Sequence, residues 1–170
     1  MDSFTEQIIK AKPTFKQRMM LVGAGFIIAV GAFILLFIDG SIGLSVMVLG
    51  IVVDVVAVNS QHYEYEYEIT NGDCDVSRIT NQTNRKMAYS FLQDDVKRIL
   101  PVDSDKYRNE IQVGTSKPII KDFTSRNVKQ KSMWYAFFVT HNGEEHIVLL
   151  ELHEKAYNQM KDRYKLKFEA

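Results

Sequence analysis

Two long apolar runs dominate the first third of the chain. From Met19 to Ile38 the sequence reads MMLVGAGFIIAVGAFILLFI, without a charged side chain or a strong hydrogen-bonding group. At ~1.5 Å per residue, a helix of this length matches the ~30 Å thickness of a bilayer core. After Asp39-Gly40 a second run, Ser41 to Val58, is interrupted only by Asp54. So short a connection predicts an antiparallel helical hairpin with membrane spans at 19–38 and 41–58. A secretory signal peptide fits poorly. The first run exceeds the usual ~7–15 residues, no A-x-A-like site follows, and the leader carries Asp2 and Glu6.

Lys10, Lys12, Lys16 and Arg18 precede the first span, whereas the connecting loop carries only Asp39. The positive-inside rule therefore places segment 1–18 and everything after Val58 in the cytoplasm. Residues 2–12 read either as a short amphipathic helix with Phe4 and Ile8 on one face, ended by Pro13, or as a polar tail.

Beyond the second span the pattern changes to period two. Tyr63 to Ile69 alternates aromatic or aliphatic residues with Glu64, Glu66 and Glu68, the signature of a strand with one buried and one wet face. Asn71-Gly72 then predicts a tight hairpin, because both residues accept positive φ. Further strands are expected at Cys74–Ile79, Lys86–Leu92 and Val96–Leu100, forming a four-strand meander that Pro101 ends. The polar stretch from Asp103 to Ser132 predicts a loop, a strand at Pro118–Phe123 and a second loop. Met133–Thr140 and Glu145–Leu150 flank His141-Asn142-Gly143-Glu144, a second Asn-Gly hairpin whose near-continuous apolar strands should be central. Ala156, Tyr157, Met160, Tyr164 and Phe168, at spacings of three and four, predict a C-terminal helix, although Leu152-His153-Glu154 offers no strong cap.

Seven strands and a closing helix resemble the pleckstrin-homology-like barrel, a seven-stranded bent sandwich plugged by a C-terminal helix. Together with the paired spans, the stretches EYEYEITNGDCDVSRI, NRKMAYSFLQDDVKRILP and WYAFFVTHNGEEHIVLLELHEKAYNQM make the whole chain resemble bacterial membrane proteins that carry a bacterial PH-like domain. The resemblance implies a membrane helical hairpin plus a mainly-β domain over 59–170, in a bacterial plasma membrane. It also implies a membrane-anchored binding or assembly module without established chemistry.

Composition narrows the function classes. The 170 residues hold 21 Lys and Arg against 21 Asp and Glu, so no basic excess points to nucleic acid. A single Cys excludes an intramolecular disulfide framework. The chain has no P-loop, GxGxxG or GxSxG motif and no carboxylate pair suited to acid-base work, so neither an enzyme nor a cofactor is expected. His141, His146 and His153 lie near Glu144, Glu145 and Glu154 but match no metal-ligand spacing, and Cys74 reads as a strand residue. The sequon Asn81-Gln82-Thr83 would stay unused in the cytoplasm.

Three sets of residues remain as candidates. Asp54, a carboxylate four residues from the end of its span, is expected to reach the headgroups or meet Lys16 or Arg18 at matching depth, to make a polar contact in an oligomer, or to take part in transport. Gly25, Ala29, Ala32, Gly43 and Gly50 permit close helix packing, within the hairpin or between copies. Arg78, Arg85, Lys86, Lys97 and Arg98 form a basic scatter that could contact anionic headgroups or belong to a solvated mixed surface. The leading expectation is a non-enzymatic anchored module that binds a protein partner or itself. The alternatives are a lipid-sensing or membrane-organising protein at the inner leaflet, and a small subunit of a transporter or channel.

Overall fold

The computed structural model describes residues 3–61, 63–80, 82–113, 118–141 and 143–169. The chain divides into two compact units, one from Lys12 to Tyr63 and one made of the N-terminal segment to Ala11 together with the chain from Glu64 onward.

The first unit is the expected hairpin of α1 (Phe15–Phe37) and α2 (Gly40–Gln61). Both helices outrun their apolar stretches. Thr14 caps α1 in a reciprocal box: its hydroxyl accepts from Gln17 N–H at 3.3 Å, and Thr14 N–H donates to Gln17 Oε1 at 2.8 Å. Asp39 turns the chain, its carboxylate accepting from the N–H groups of Ser41 and Ile42 at 2.9 and 3.0 Å. At the open end Gln17 Nε2 donates to the Ser60 carbonyl at 2.6 Å.

Small residues repeat every seven positions along the seam between the helices: Ala24 and Gly31 on α1, and Gly43, Gly50 and Ala57 on α2, all buried. A Cβ on Gly31 would fall 2.6 Å from Met47 N, and one on Gly50 would fall 2.7 Å from Ile28 Cγ1. A Cβ on Gly43 would fall on the backbone of Leu35. Only hydrogen at these positions allows the backbones to approach so closely.

The second unit holds two four-stranded sheets. Sheet A follows the order β1 (Phe4–Lys10), β2 (Tyr63–Thr70), β3 (Asp73–Thr80), β4 (Asn84–Phe91). Sheet B follows the order β5 (Val96–Pro101), β7 (Trp134–His141), β8 (Glu144–Glu151), β6 (Ile119–Asp122). The described residues therefore form eight strands, where the sequence pattern predicts seven. The additional strand is β1, which corrects the reading of residues 2–12 as an amphipathic helix or loose tail. It pairs antiparallel with β2 from Phe4↔Thr70 to Lys10↔Glu64 and buries Thr5, Gln7 and Ile9. Two of those three inward residues are polar, which hides the strand from any hydrophobic pattern.

The meander ends one strand earlier than predicted. β2, β3 and β4 form it, and a 3-10 turn at Gln93–Asp95 sends β5 into sheet B. Asn71 and Gly72 adopt the positive φ values their turn requires, 54° and 107°. In the β7–β8 hairpin, Asn142 lies outside the described residues, as does Asn81 of the sequon. The apolar strands β7 and β8 are the inner pair of sheet B, as expected.

The polar stretch read as loop contains α3 (Asp105–Val113) and a 3-10 segment at Val128–Met133. Tyr107 of α3 joins Leu100, Val102, Ala136 and Ile147 in a core cluster, which is why β7 and β8 are apolar on both faces. The strand expected near 118–123 is β6, parallel to β8. The C-terminal helix α4 (Glu154–Arg163) starts without a side-chain cap at His153, and buries Ala156 and Met160. Just beyond it Tyr164 donates its hydroxyl proton to the Gly72 carbonyl at 2.7 Å, clamping the β2–β3 turn.

Candidate functional site

In the hairpin, the seam contacts fix the register. Gly31 meets Met47, Gly43 meets Leu35 and Gly50 meets Ile28, so facing residue numbers add to 78. Asp54 is therefore level with Ala24, and Arg18 is level with Ser60, about two turns further toward the open end. This corrects the expected match in depth between Asp54 and Lys16 or Arg18, and no ion pair joins Asp54 to either among the described residues. The half-buried Asp54 flanks the seam between Gly50 and Ala57, where both neighbouring helix surfaces are apolar.

The five small residues separate in the same way. Gly43 and Gly50 lie in the seam, Ala32 is half-buried beside it, and Gly25 and Ala29 face outward. The i, i+4 spacing of Gly25 and Ala29 drew attention on the sequence. The seven-residue repeat through Ala24, Gly31 and Ala57 was the informative signal.

In the β domain the most unusual residue lies in the glutamate row of β2. Glu64 and Glu68 are half-buried, but Glu66 is fully buried although it stands on the face the alternation marks as wet. Its Oε1 accepts from Arg85 Nη2 at 2.5 Å, and Arg85 Nη1 donates to Glu68 Oε1 at 3.3 Å. Among the described residues Glu66 Oε2 has no hydrogen-bond partner. Burial raises the Glu66 pKa above the ordinary carboxylate value, Arg85 opposes this, and Glu6 and Glu68 add to the rise.

The folded chain holds the Glu66 proton more tightly than the unfolded chain, so this contribution to stability is complete below the ordinary carboxylate pKa. It is lost as pH rises through the raised value. Glu66→Gln should then raise the melting temperature near pH 8 by about 2–4 °C, the equivalent of ~1 kcal/mol, with the gain vanishing toward pH 4. Thermal melts of the two proteins across that pH range check it.

The five basic residues do not form one patch. Arg85 is held by Glu66 and Glu68, Lys97 by Glu145 at 2.6 Å, and Arg98 by Glu110, with the Arg98 guanidinium 4.4 Å above the Phe138 ring. Lys97 and Arg98 stand on β5 and line a groove of about 820 Å³ together with Ile119, Phe138 and Ile147. Arg78 and Lys86 lie on sheet A, directly opposite each other in the β3–β4 register, and both are exposed.

Tyr89 Oη and His146 Nδ1 are 2.7 Å apart in a buried pair, with the His141 ring 5.7 Å from the His146 ring. Among the described residues, no three His, Cys, Asp or Glu side chains are placed to hold a metal ion. Cys74 is buried in β3, and burial pushes its thiol pKa far up, so it stays protonated.

A network that the sequence did not announce centres on Glu151, which is 1% exposed. Its Oε2 accepts from Ser125 N–H at 3.1 Å and from Trp134 Nε1–H at 3.0 Å. Its carbonyl accepts from Gln7 Nε2 at 2.7 Å, and Gln7 Oε1 accepts from His153 N–H at 3.0 Å. Through Gln7 this network ties β1 to the distant C-terminal part of the domain.

Two helices long and apolar enough to cross a membrane, joined to a two-sheet β domain, define a class of membrane-associated β module. The helices are only 11% and 17% buried over their most apolar windows, unlike the core helices of a soluble protein. Within that class, the chain belongs to the bacterial PH-like domain family DUF6106, whose model matches residues 1–169. No curated protein and no solved structure matches it.

Proposed function

We propose that this chain is a two-pass protein of the bacterial plasma membrane, with both termini in the cytoplasm. Its PH-like domain binds a protein partner or a second copy of itself and performs no chemistry of its own. The observation that carries this reading is the groove on sheet B. Its lining combines the apolar side chains of Ile119, Phe138 and Ile147 with paired charges, Lys97 with Glu145 and Arg98 with Glu110. Apolar area combined with paired polar groups is the make-up of a protein interface.

The topology supports the anchoring. β1 and β2 are hydrogen-bonded neighbours, and the hairpin is the chain between them, which supports a reading with residues 4–10 and the domain after the spans on one side of the bilayer. The basic residues Lys10, Lys12, Lys16 and Arg18 favour the cytoplasm as that side.

Crosslinking of the tagged full-length protein in its own cells, followed by detergent purification and mass spectrometry, tests the proposal. A stoichiometric second protein, or self-crosslinks, mapped to residues of the groove would support it. Crosslinks to lipid alone, or protein crosslinks that avoid the groove, would overturn it.

A further inference from the structure

We propose that the glutamate face of sheet A binds a basic segment of a protein partner, whose lysine or arginine side chains complete the pairing of Glu6, Glu66 and Glu68. This face belongs to the other sheet from the groove, so the two surfaces stand or fall separately.

The strand registers assemble the site. β1 and β2 set Glu6 directly opposite Glu68, Ile8 opposite Glu66 and Lys10 opposite Glu64. Residues directly opposite one another share a face, and so do alternate residues of one strand. Arg85 of β4 reaches Glu66 and Glu68, so it stands on this face too. Its register partner is Ile79, and alternation back along β3 brings Asp75 to the same face, opposite Ser90. Glu6, Glu64, Glu66, Glu68 and Asp75 therefore share a surface whose cations are Lys10 and Arg85.

Those cations leave the carboxylates incompletely paired. Lys10 engages Glu64 at 3.8 Å, and Arg85 engages Glu66 and Glu68. Glu6 is exposed and has no ion pair among the described residues. Like charges directly opposite each other weaken a sheet, and Glu6 and Glu68 are such a pair. The side chain of Glu66 is fully buried, yet its Oε2 has no hydrogen-bond donor among the described residues. Its neighbour there is Glu6, a second carboxyl that can bond to it only through a shared proton. A buried acceptor without a donor is costly. One ammonium or guanidinium group laid among Glu6, Glu66 and Glu68 would answer both deficits.

The surroundings favour a protein segment as the source of that group. Carboxylates two residues apart on β2 are separated by roughly 7 Å, which an extended segment with basic residues at alternate positions reproduces. Ile8 and Met87 are 47% and 60% exposed on the same face, so apolar side chains between the basic ones would find contacts. A metal ion fits less well. Among the described residues no three acidic, His or Cys side chains are placed to hold one, and the Arg85 guanidinium already lies within the cluster.

The test titrates the full-length chain, in a nonionic detergent at low salt, against a fluorescein-labelled peptide of alternating lysine and valine, read by anisotropy. Saturable binding is expected. Glu6→Gln should weaken it about two- to fivefold and the double variant E6Q/E68Q about four- to twentyfold, and high salt should abolish it. Glu145→Gln, in the groove, should leave it intact. Glu6→Lys places the missing cation on the chain itself, so it should abolish peptide binding and raise the melting temperature by about 2–4 °C. No binding at low salt, binding that E6Q/E68Q leaves unchanged, or a melting temperature that Glu6→Lys fails to raise would overturn the proposal. Binding lost in Glu145→Gln but kept in E6Q/E68Q would assign the peptide to the groove, overturning this proposal and leaving the groove reading in place. Displacement of the peptide by calcium chloride, beyond that by sodium chloride of equal ionic strength, would assign the cluster to a metal ion and overturn it as well. Thermal melts establish that E6Q/E68Q is folded, and the single variant at exposed Glu6 keeps the test decisive if the double variant is not.

Discussion

Replacing Gly43 by leucine is expected to split the helical hairpin. A side chain there has no space, because its first atom would fall on the backbone of Leu35. Neither helix can yield by a rotamer change, since the obstacle is main chain. Overpacking of ordinary cores costs ~1–3 kcal/mol, and an obstruction by backbone places this variant at or above the top of that range. The helices should move apart along the whole seam, taking the facing contacts of Gly31 and Gly50 with them. A cysteine pair at the level positions Ala24 and Asp54 should crosslink in the parent and lose most of its crosslinking when Gly43→Leu is added. Gly25→Leu is the matched control. No atom lies within 4 Å of a Cβ built at Gly25, so the hairpin crosslink should survive.

Glu151→Leu should cost the β domain about 2–5 kcal/mol. The carboxylate accepts from the buried Ser125 N–H and from the indole N–H of the half-buried Trp134, and leucine would leave both donors without this acceptor. Each stranded donor carries a penalty of ~1–3 kcal/mol. Glu151→Gln retains an acceptor oxygen and should cost less than half as much. Trp134 is the only tryptophan in the chain, so denaturant unfolding followed by its fluorescence reads the affected site directly. Tyr67→Phe should act on the same network more mildly. The Tyr67 hydroxyl donates to the Phe123 carbonyl at 2.7 Å and accepts from Glu151 N–H at 3.3 Å, and both backbone groups can turn to other partners more easily than an indole can.

These two sites were not equally legible. The hairpin was evident from apolar length alone, but its seam was not. Small residues at four-residue spacing drew attention to Gly25 and Ala29, which face outward, whereas the seam follows a seven-residue repeat through Ala24, Gly31, Gly43, Gly50 and Ala57. Asp54 stood out correctly as the one charge within the second span, yet its depth relative to Arg18 depended on how far one helix slides along the other. Interhelix register is a pairwise property that neither apolar run encodes by itself. The Glu151 network gave no sequence signal, because a glutamate at the end of a strand ordinarily reads as wet.

The sequence by itself determined the two apolar helices, the hairpin between them, the alternating β2 strand, the Asn71-Gly72 turn, the central apolar pair β7 and β8, and the C-terminal helix. Each of these rests on local chemistry: span length, a period of two or 3.6, or a residue that accepts positive φ. Tertiary structure decided what depends on partners far away in the chain. It made residues 4–10 a strand, because the β2 edge and the Glu151 carbonyl supply hydrogen bonds that Thr5 and Gln7 cannot find locally. It turned a polar stretch into α3, because Tyr107 docks that helix on a sheet already apolar on its second face and Glu110 pairs with Arg98 of β5. It buried Glu66 in a row of exposed-looking glutamates, because Arg85 arrives from β4 to meet it. It also separated five scattered cations: Arg85 meets Glu66 and Glu68, Lys97 meets Glu145, Arg98 meets Glu110, and Arg78 and Lys86 face each other across the β3–β4 register.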